Sequence, residues 1–89
     1  MIVEFDKSFE KSLRHIYDPV ILTRLEKIII HIENSASLSQ IANIKKLSGY
    51  TTYYRIRIGE YRVGFEILNK NTLRFIVIAN RKDIYKIFP

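Results

Sequence analysis

Arginine and tyrosine are concentrated in residues 53–63, which read YYRIRIGEYRV. Arg55, Arg57 and Arg62 stand in this stretch beside only one acidic residue, Glu60. A guanidinium group presents several N–H donors in a rigid plane, and their spacing matches the oxygens of a phosphate or carboxylate group. The stretch therefore indicates an anion-binding site rather than a generic charged surface.

The chain offers few of the residue sets on which catalytic sites usually depend. It has no cysteine, and it contains no HExxH, phosphate-binding loop or dinucleotide-binding motif. Its two histidines, His15 and His31, fall in predicted helices, where we expect surface positions rather than ligands. A catalytic site must then consist of arginine, lysine and tyrosine, and we expect neither a metal nor a cofactor.

One reaction suits those residue types, namely cleavage of RNA by its own 2′-hydroxyl group. The 2′ oxygen attacks the adjacent phosphorus and the 5′ oxygen leaves, so the substrate supplies the nucleophile. Negative charge builds up on the phosphorane oxygens, where preorganised cations are most effective, and a tyrosine can stack on a base or relay a proton. A protein that only binds RNA could use the same residues, because phosphate contacts alone carry no catalysis.

Length and charge limit the class of protein. The chain has 89 residues, 47% of them hydrophobic, which is enough for one compact domain. Its net charge of +6 favours polyanionic partners. Residues 1–44 contain about as many acidic as basic side chains, so the excess lies in residues 45–89.

The N-terminus lacks the pattern of a signal peptide and no apolar stretch is long enough for a membrane span, so we expect a cytoplasmic protein.

Two amphipathic helices are predicted in the first half of the chain. Asp6 is a good N-cap, and Asp18 followed by Pro19 is typical of a second helix start. We predict a first helix over residues 7–16 and a second one from residue 19 to about 34. The apolar residues at helical spacing are Phe9, Leu13 and Ile16 in the first helix and Ile21, Leu22, Leu25, Ile28, Ile29 and Ile32 in the second.

From residue 53 onwards the apolar pattern has a period of two, which predicts β-strands. Residues 59–60 and 69–71 are the predicted turns. In the first two strands Tyr54, Ile56, Ile58, Tyr61, Val63, Phe65 and Ile67 share one face, whereas Arg55, Arg57 and Arg62 share the other. In the third strand, residues 73–79, two alternations compete, so its faces stay undecided.

With a short strand at residues 2–5, the element order is β-α-α-β-β-β. This order predicts an α+β fold in two layers, with the helical hairpin packed on one face of a mainly antiparallel sheet. The other face then stays open and carries the three arginines.

The segments KKLSGYTTYYRIRIGEYRVGFEI (residues 45–67) and LRFIVIANRKDIYKIFP (residues 73–89) resemble the RelE branch of the RelE/ParE superfamily of bacterial and archaeal toxins. That family pattern combines a leucine-glycine lead-in, Y-R-I-R-x-G-x-Y-R-V, an apolar strand and H-R-x-x-x-Y. The resemblance implies a single RelE-like toxin domain over residues 1–89. It further implies cleavage of messenger RNA in the ribosomal A site and neutralisation by a cognate antitoxin, which we expect to be acidic.

The resemblance also implies a set of site residues. Its catalytic positions correspond to Arg55, Arg57, Arg62, Arg81 and Tyr85. Further contacts to RNA are expected from Lys45, Lys46 and Lys82.

The chain departs from the family at two points that concern the general base. Many relatives have histidine where this chain has Asn80, and an amide cannot act as a base at neutral pH. Some active members have lysine at the positions of Arg55 and Arg57, and arginine does not give up its proton. The identity of the base therefore stays open.

Two alternatives to the nuclease remain at this point. A ParE-like toxin of the same fold would inhibit DNA gyrase by binding it, although such relatives tend to lack the full set of basic residues. A non-catalytic RNA-binding module is the other alternative.

Overall fold

The computed structural model describes all residues from 1 to 89, and its centre is a five-stranded sheet. The strands lie in the order β1-β5-β4-β3-β2. Strands β2 to β5 pair antiparallel, whereas β1 pairs parallel to β5. The strands are β1 (Ile2–Phe5), β2 (Ile44–Lys46), β3 (Tyr53–Ile58), β4 (Tyr61–Asn69) and β5 (Thr72–Asn80), and the helices are α1 (Lys7–Leu13), α2 (Pro19–Glu33) and α3 (Ile84–Ile87).

Helices α1 and α2 begin where the sequence predicted. The Asp6 carboxylate accepts a hydrogen bond from the backbone N–H of Ser8 at 3.1 Å, and that of Asp18 accepts one from Val20 at 2.9 Å. Helix α1 ends at Leu13, three residues before the predicted end. Both helices pack on one face of the sheet, and the main core between the layers contains Phe9, Ile16, Ile21, Leu25, Ile32, Ile41, Ile56, Ile58, Val63, Phe65, Leu73, Phe75 and Ile78.

Strands β3 and β4 have the register that places the arginines on the open face. Ile56 lies opposite Val63, and both side chains are buried beneath the helices. The connecting turn contains Gly59 with a φ of +58°, a conformation that glycine adopts without steric cost. The predicted alternation in this hairpin is confirmed.

A β-bulge in β5 resolves the face that the sequence left undecided. Phe75 lies opposite Phe65 and Val77 lies opposite Gly64, so Ile76 is an extra residue on this strand. Phe75 and Ile78 therefore both face the helices, although three positions separate them. Neither competing alternation was correct along the whole strand.

The structure adds three short elements to the predicted order: a 3₁₀ turn over Leu38–Gln40, strand β2 and helix α3. Strand β2 forms an edge of the sheet, and α3 lies on the open face. There a second, smaller core contains Leu47, Val77, Ile84 and Phe88, so part of this face is covered.

The predicted α+β class with a helical hairpin on one sheet face is confirmed. None of the helices has the length and apolar content that crossing a membrane requires.

Candidate active site

The cross-strand register brings four basic side chains into two neighbouring rows. Lys45 of β2 lies opposite Arg55 of β3, and Arg57 of β3 lies opposite Arg62 of β4. Side chains of directly opposed residues project from the same face of a sheet, about 5 Å apart at Cβ. Like charges at this spacing repel each other. An anion between the rows would relieve that repulsion.

These side chains line a cleft of about 390 Å³, hereafter the arginine cleft. Its walls come from β2, β3, β4 and α3, so most of its groups are held by hydrogen-bonded strands. The lining residues are Asn43, Ile44, Lys45, Arg55, Arg57, Arg62 and Tyr85.

Tyr85 closes one side of the arginine cleft. The guanidinium carbon of Arg55 lies 4.4 Å from the centroid of the Tyr85 ring, which is cation–π geometry. Tyr85 is nevertheless 71% exposed, so much of its ring remains open to a ligand.

The Arg62 guanidinium is oriented by the hairpin turn. Its Nη1 donates to the backbone carbonyls of Gly59 and Tyr61, each at 2.9 Å. These two bonds restrict the side chain before any ligand arrives. Such preorganisation lowers the reorganisation cost of stabilising a developing charge.

Arg81 and Lys82 lie in an adjoining depression of about 380 Å³, which Arg62 and Tyr85 also line. The two depressions therefore form one continuous basic surface. Arg81 Nε is 2.8 Å from a carboxylate oxygen of Glu60, and its backbone N–H donates to the Glu60 carbonyl at 2.8 Å. Glu60 thus holds Arg81 beside the cleft.

Lys46, Asn80 and His31 line neither of the two depressions. Lys46 is paired with Tyr54, which packs against the main core, so Lys46 belongs to the opposite side of β2 from Lys45. Asn80 stabilises a turn, because its side-chain oxygen accepts the backbone N–H of Lys82 at 3.0 Å. The Nε2 atom of His31 is within hydrogen-bond distance, 3.1 Å, of the backbone carbonyl oxygen of Gln40.

Arg74 is the arginine of the meander that stays outside the cleft. It forms an ion pair with Glu4 of the parallel strand β1 at 2.8 Å. The hydrogen bond to Glu4 raises the pKa of Arg74 above its ordinary value. Arg74 is therefore a matched control for the cleft arginines.

Asn43 is a cleft residue that the sequence reasoning missed. Its φ of +65° is rare for a residue other than glycine, although asparagine tolerates it better than most. Its backbone carbonyl accepts the N–H of Arg57 at 3.0 Å, which fixes the loop beside β3. No periodicity marks such a position, since one asparagine in a polar loop gives no signal of its own.

Comparison with known proteins identifies relatives along the whole chain. The family model for the ParE toxin of the type II toxin-antitoxin system parDE matches residues 3–85. Toxin RelE3 of Methanocaldococcus jannaschii is 44% identical over 90 residues, with 100% of both chains covered.

Solved structures give the same result for the fold. In the RelB-RelE antitoxin-toxin complex from Methanococcus jannaschii, one chain matches with a TM-score of 0.82 and 43% identity, over 97% of this chain and 99% of that one. The archaeal RelE-RelB complex from Pyrococcus horikoshii matches with a TM-score of 0.71 over 90% and 93% of the two chains. Its identity is 20%, so this likeness concerns the fold alone.

Proposed function

Since this chain belongs to the ParE toxin family of type II toxin-antitoxin systems, within the RelE/ParE superfamily, we propose that it is a toxin that cleaves messenger RNA on the ribosome. The family membership confirms the resemblance found in the sequence. The family model and the full-length relative bear the names of the two branches, ParE and RelE. The site residues are therefore the evidence that separates the branches.

The observation that carries the nuclease proposal is the convergence of Arg55, Arg57, Arg62 and Tyr85 on one cleft. Phosphoryl transfer is accelerated by preorganised cations at the developing charge, and this cluster supplies them. Arginines on adjacent strands form a rigid cationic cradle, and the exposed tyrosine ring provides a stacking surface for a base. The adjoining depression with Arg81 and Lys82 extends the basic surface in the way that a polynucleotide needs.

In the proposed reaction the 2′ oxygen of the RNA attacks the neighbouring phosphorus and the bond to the 5′ oxygen breaks. The 2′-hydroxyl proton is lost, the 5′ oxygen gains a proton, and a cyclic phosphate remains. The arginines stabilise the extra negative charge on the phosphorane oxygens. Arginine keeps its own proton, so Lys45 and Tyr85 are the cleft side chains able to exchange one, together with solvent water.

The proposed partner is an acidic antitoxin. The RelE chain that is 43% identical to this one was solved as a complex with the antitoxin RelB. For this chain, a net charge of +6 and an open cationic face favour a partner with the opposite charge. Such a partner would neutralise the toxin in one of two ways. It would cover the arginine cleft, or it would displace the C-terminal tail (residues 81–89), which carries Tyr85.

Expression of the chain without a partner tests the proposal. We expect protein synthesis to stop, and mapping of mRNA ends should reveal cuts at fixed positions within translated codons. Arg62→Ala and Arg81→Ala should each lower the cleavage rate about 100- to 1,000-fold, the scale of losing one transition-state donor. Arg74→Ala, which lies outside the cleft, is the matched control and should retain toxicity.

The alternatives predict other outcomes of the same experiment. DNA damage with intact mRNA would identify a gyrase inhibitor. Intact mRNA together with normal DNA and tight RNA binding would identify a binding module. Toxicity that survives both Arg62→Ala and Arg81→Ala in folded protein would contradict the assignment of the site.

A further inference from the structure

The tail that carries Tyr85 has little stability of its own. Helix α3 is a single turn, Ile84–Ile87, and its N-cap residue Asp83 makes no side-chain capping hydrogen bond. Isolated helices much shorter than about 12 residues are not stable in water. The position of Tyr85 over the arginine cleft therefore depends on contacts that the tail makes with the sheet.

Two apolar residues flank Tyr85 and anchor the tail. Ile84 has no exposed surface and Phe88 is only 6% exposed, although both belong to the last six residues of the chain. Both lie in the smaller core, where Phe88 also meets the Tyr53 ring edge to face, with centroids 5.6 Å apart. Tyr85 itself stays outside this core.

The ring of Phe88 packs directly on the backbone of Gly64, which is hereafter called the seat of this ring. A Cβ atom added at Gly64 would lie 2.6 to 2.8 Å from three ring carbons of Phe88, which is closer than nonbonded carbons approach. The backbone of Gly64 is not in the left-handed region, so its conformation alone does not demand glycine. The ring of Phe88 supplies the reason for the missing side chain.

The sheet register connects this seat to the cleft. Gly64 of β4 lies directly opposite Arg55 of β3. The tail crosses this pair, with Phe88 packed on Gly64 and the Tyr85 ring over Arg55. Phe88 directly follows α3 with an extended backbone, and its N–H donates to the carbonyl of Ile84 at 3.0 Å, so this short turn fixes where the chain carries both rings.

We propose that Phe88, seated on Gly64, is a positioning residue that holds Tyr85 over Arg55 in the arginine cleft. The catalytic consequence of this arrangement rests on the proposed RNA cleavage, whereas the coupling of the two rings does not. The ring of Phe88 takes no part in the chemistry and acts through Tyr85.

The coupling is measured by NMR on the Arg55 side chain. A guanidinium under an aromatic ring experiences a ring-current shift at its Nε–H, and Tyr85→Ala defines how much of that shift is due to Tyr85. Phe88→Ala should remove the same part of the shift. Phe88→Leu should retain most of it, because leucine still fills the apolar seat. Ile87→Ala is the matched control, because Ile87 is in the same turn but 54% exposed and outside the smaller core.

Gly64→Ala tests the seat without touching the tail, and it stands in if Phe88→Ala does not fold. Alanine is favoured over glycine in the interior of a strand, so propensity alone predicts a sheet of equal or higher stability. The proposal predicts that the added methyl group displaces Phe88 and removes the Tyr85-dependent shift at Arg55. An unchanged shift in Gly64→Ala or in folded Phe88→Ala would overturn the proposal.

A double-mutant cycle tests the catalytic consequence on RNA-programmed ribosomes. Phe88→Ala should lower the rate about 10- to 100-fold, the scale of losing one base-stacking contact. The same substitution in a Tyr85→Ala background should cost nothing further, since residues that act through one contact are not additive. Additive losses would mean a general structural defect and overturn the proposal. If the wild type cleaves no RNA, the proposed function fails, and the NMR shift still decides the positioning role.

Discussion

The Arg55 guanidinium lies over the ring of Tyr85 at the arginine cleft, with 4.4 Å between the guanidinium carbon and the centre of the ring. One residue comes from the rigid strand β3 and the other from the short tail. The contact uses the face of the ring, and the Tyr85 hydroxyl is not needed for it. We propose that Tyr85 acts through its ring face rather than through proton transfer by its hydroxyl group.

Tyr85→Phe should consequently leave RNA cleavage close to the wild-type rate, because phenylalanine keeps the aromatic face. Tyr85→Ala should lower the rate about 10- to 100-fold, since stacking of a base on an aromatic ring is worth about 1–3 kcal/mol. Single-turnover cleavage on programmed ribosomes measures both variants. A steep loss in Tyr85→Phe would instead assign the proton transfer to the hydroxyl group.

The part of the site that lies on regular strands could be predicted from the sequence. Alternation with a period of two determines which side chains share a face, and Gly59 sets the hairpin register. The alternation therefore predicts correctly that Arg55, Arg57 and Arg62 share the open face. The helix starts at Asp6 and Asp18 were equally predictable, because capping is a local interaction.

The remaining features depend on contacts between distant segments. The bulge at Ile76 depends on how β5 pairs with β4, and no local pattern reveals the extra residue. Strand β2 has only three residues and owes its conformation to β3. Asn43 enters the cleft because its backbone carbonyl meets the N–H of Arg57. In the same way, Gly64 lacks room for a side chain because the ring of Phe88, which follows 24 positions later, packs on its backbone.

Neighbouring lysines of β2 provide a matched pair for RNA binding. Lys45 lines the cleft, whereas Lys46 belongs to the other side of the strand, and each substitution by alanine removes one charge. Lys45→Ala should weaken binding of a short single-stranded RNA and reduce the slope of log K against log salt by about 0.7, the value for one lost phosphate contact. Lys46→Ala should change both quantities less. Equal effects would indicate that only the total charge of this edge matters.

The cap of helix α1 predicts a dependence of stability on pH. The hydroxyl and backbone N–H of Ser8 donate to the Asp6 carboxylate and lower the pKa of Asp6 below its ordinary 3.8. A carboxyl group with a lower pKa in the folded state contributes stability above its unfolded pKa and loses it as the pH falls through the folded one. The free energy of unfolding should therefore decrease as the pH falls below about 3.8.

Asp6→Asn should flatten this acid dependence, since asparagine caps a helix but does not titrate. Denaturant unfolding at a series of pH values between about 2 and 6 measures the slope. Asp83→Asn is the control, because Asp83 makes no capping hydrogen bond. An unchanged slope in Asp6→Asn would assign the acid sensitivity to other carboxyl groups.

Glu60 is the acidic side chain that pairs with Arg81, and bound RNA would compete with it for this arginine. Its carboxylate lies 2.8 Å from Arg81 Nε, and both side chains are more than half exposed. An exposed ion pair contributes only about 0–1 kcal/mol, so Glu60→Gln should hardly change the free energy of unfolding. It should instead free the Arg81 guanidinium, tighten binding of single-stranded RNA, and steepen its salt dependence by about 0.7 in the log–log slope.

Two comparisons show whether this effect acts through Arg81. Glu26→Gln, on the exposed side of α2, changes the net charge equally but has no ion pair to release, so its effect on binding should be smaller. In an Arg81→Ala background, Glu60→Gln should lose its extra effect, because the group it frees is gone. If Glu60→Gln tightens binding equally in both backgrounds, the carboxylate acts through the general field of the protein. Arg81 would then already be available to phosphate while its Nε remains paired with Glu60.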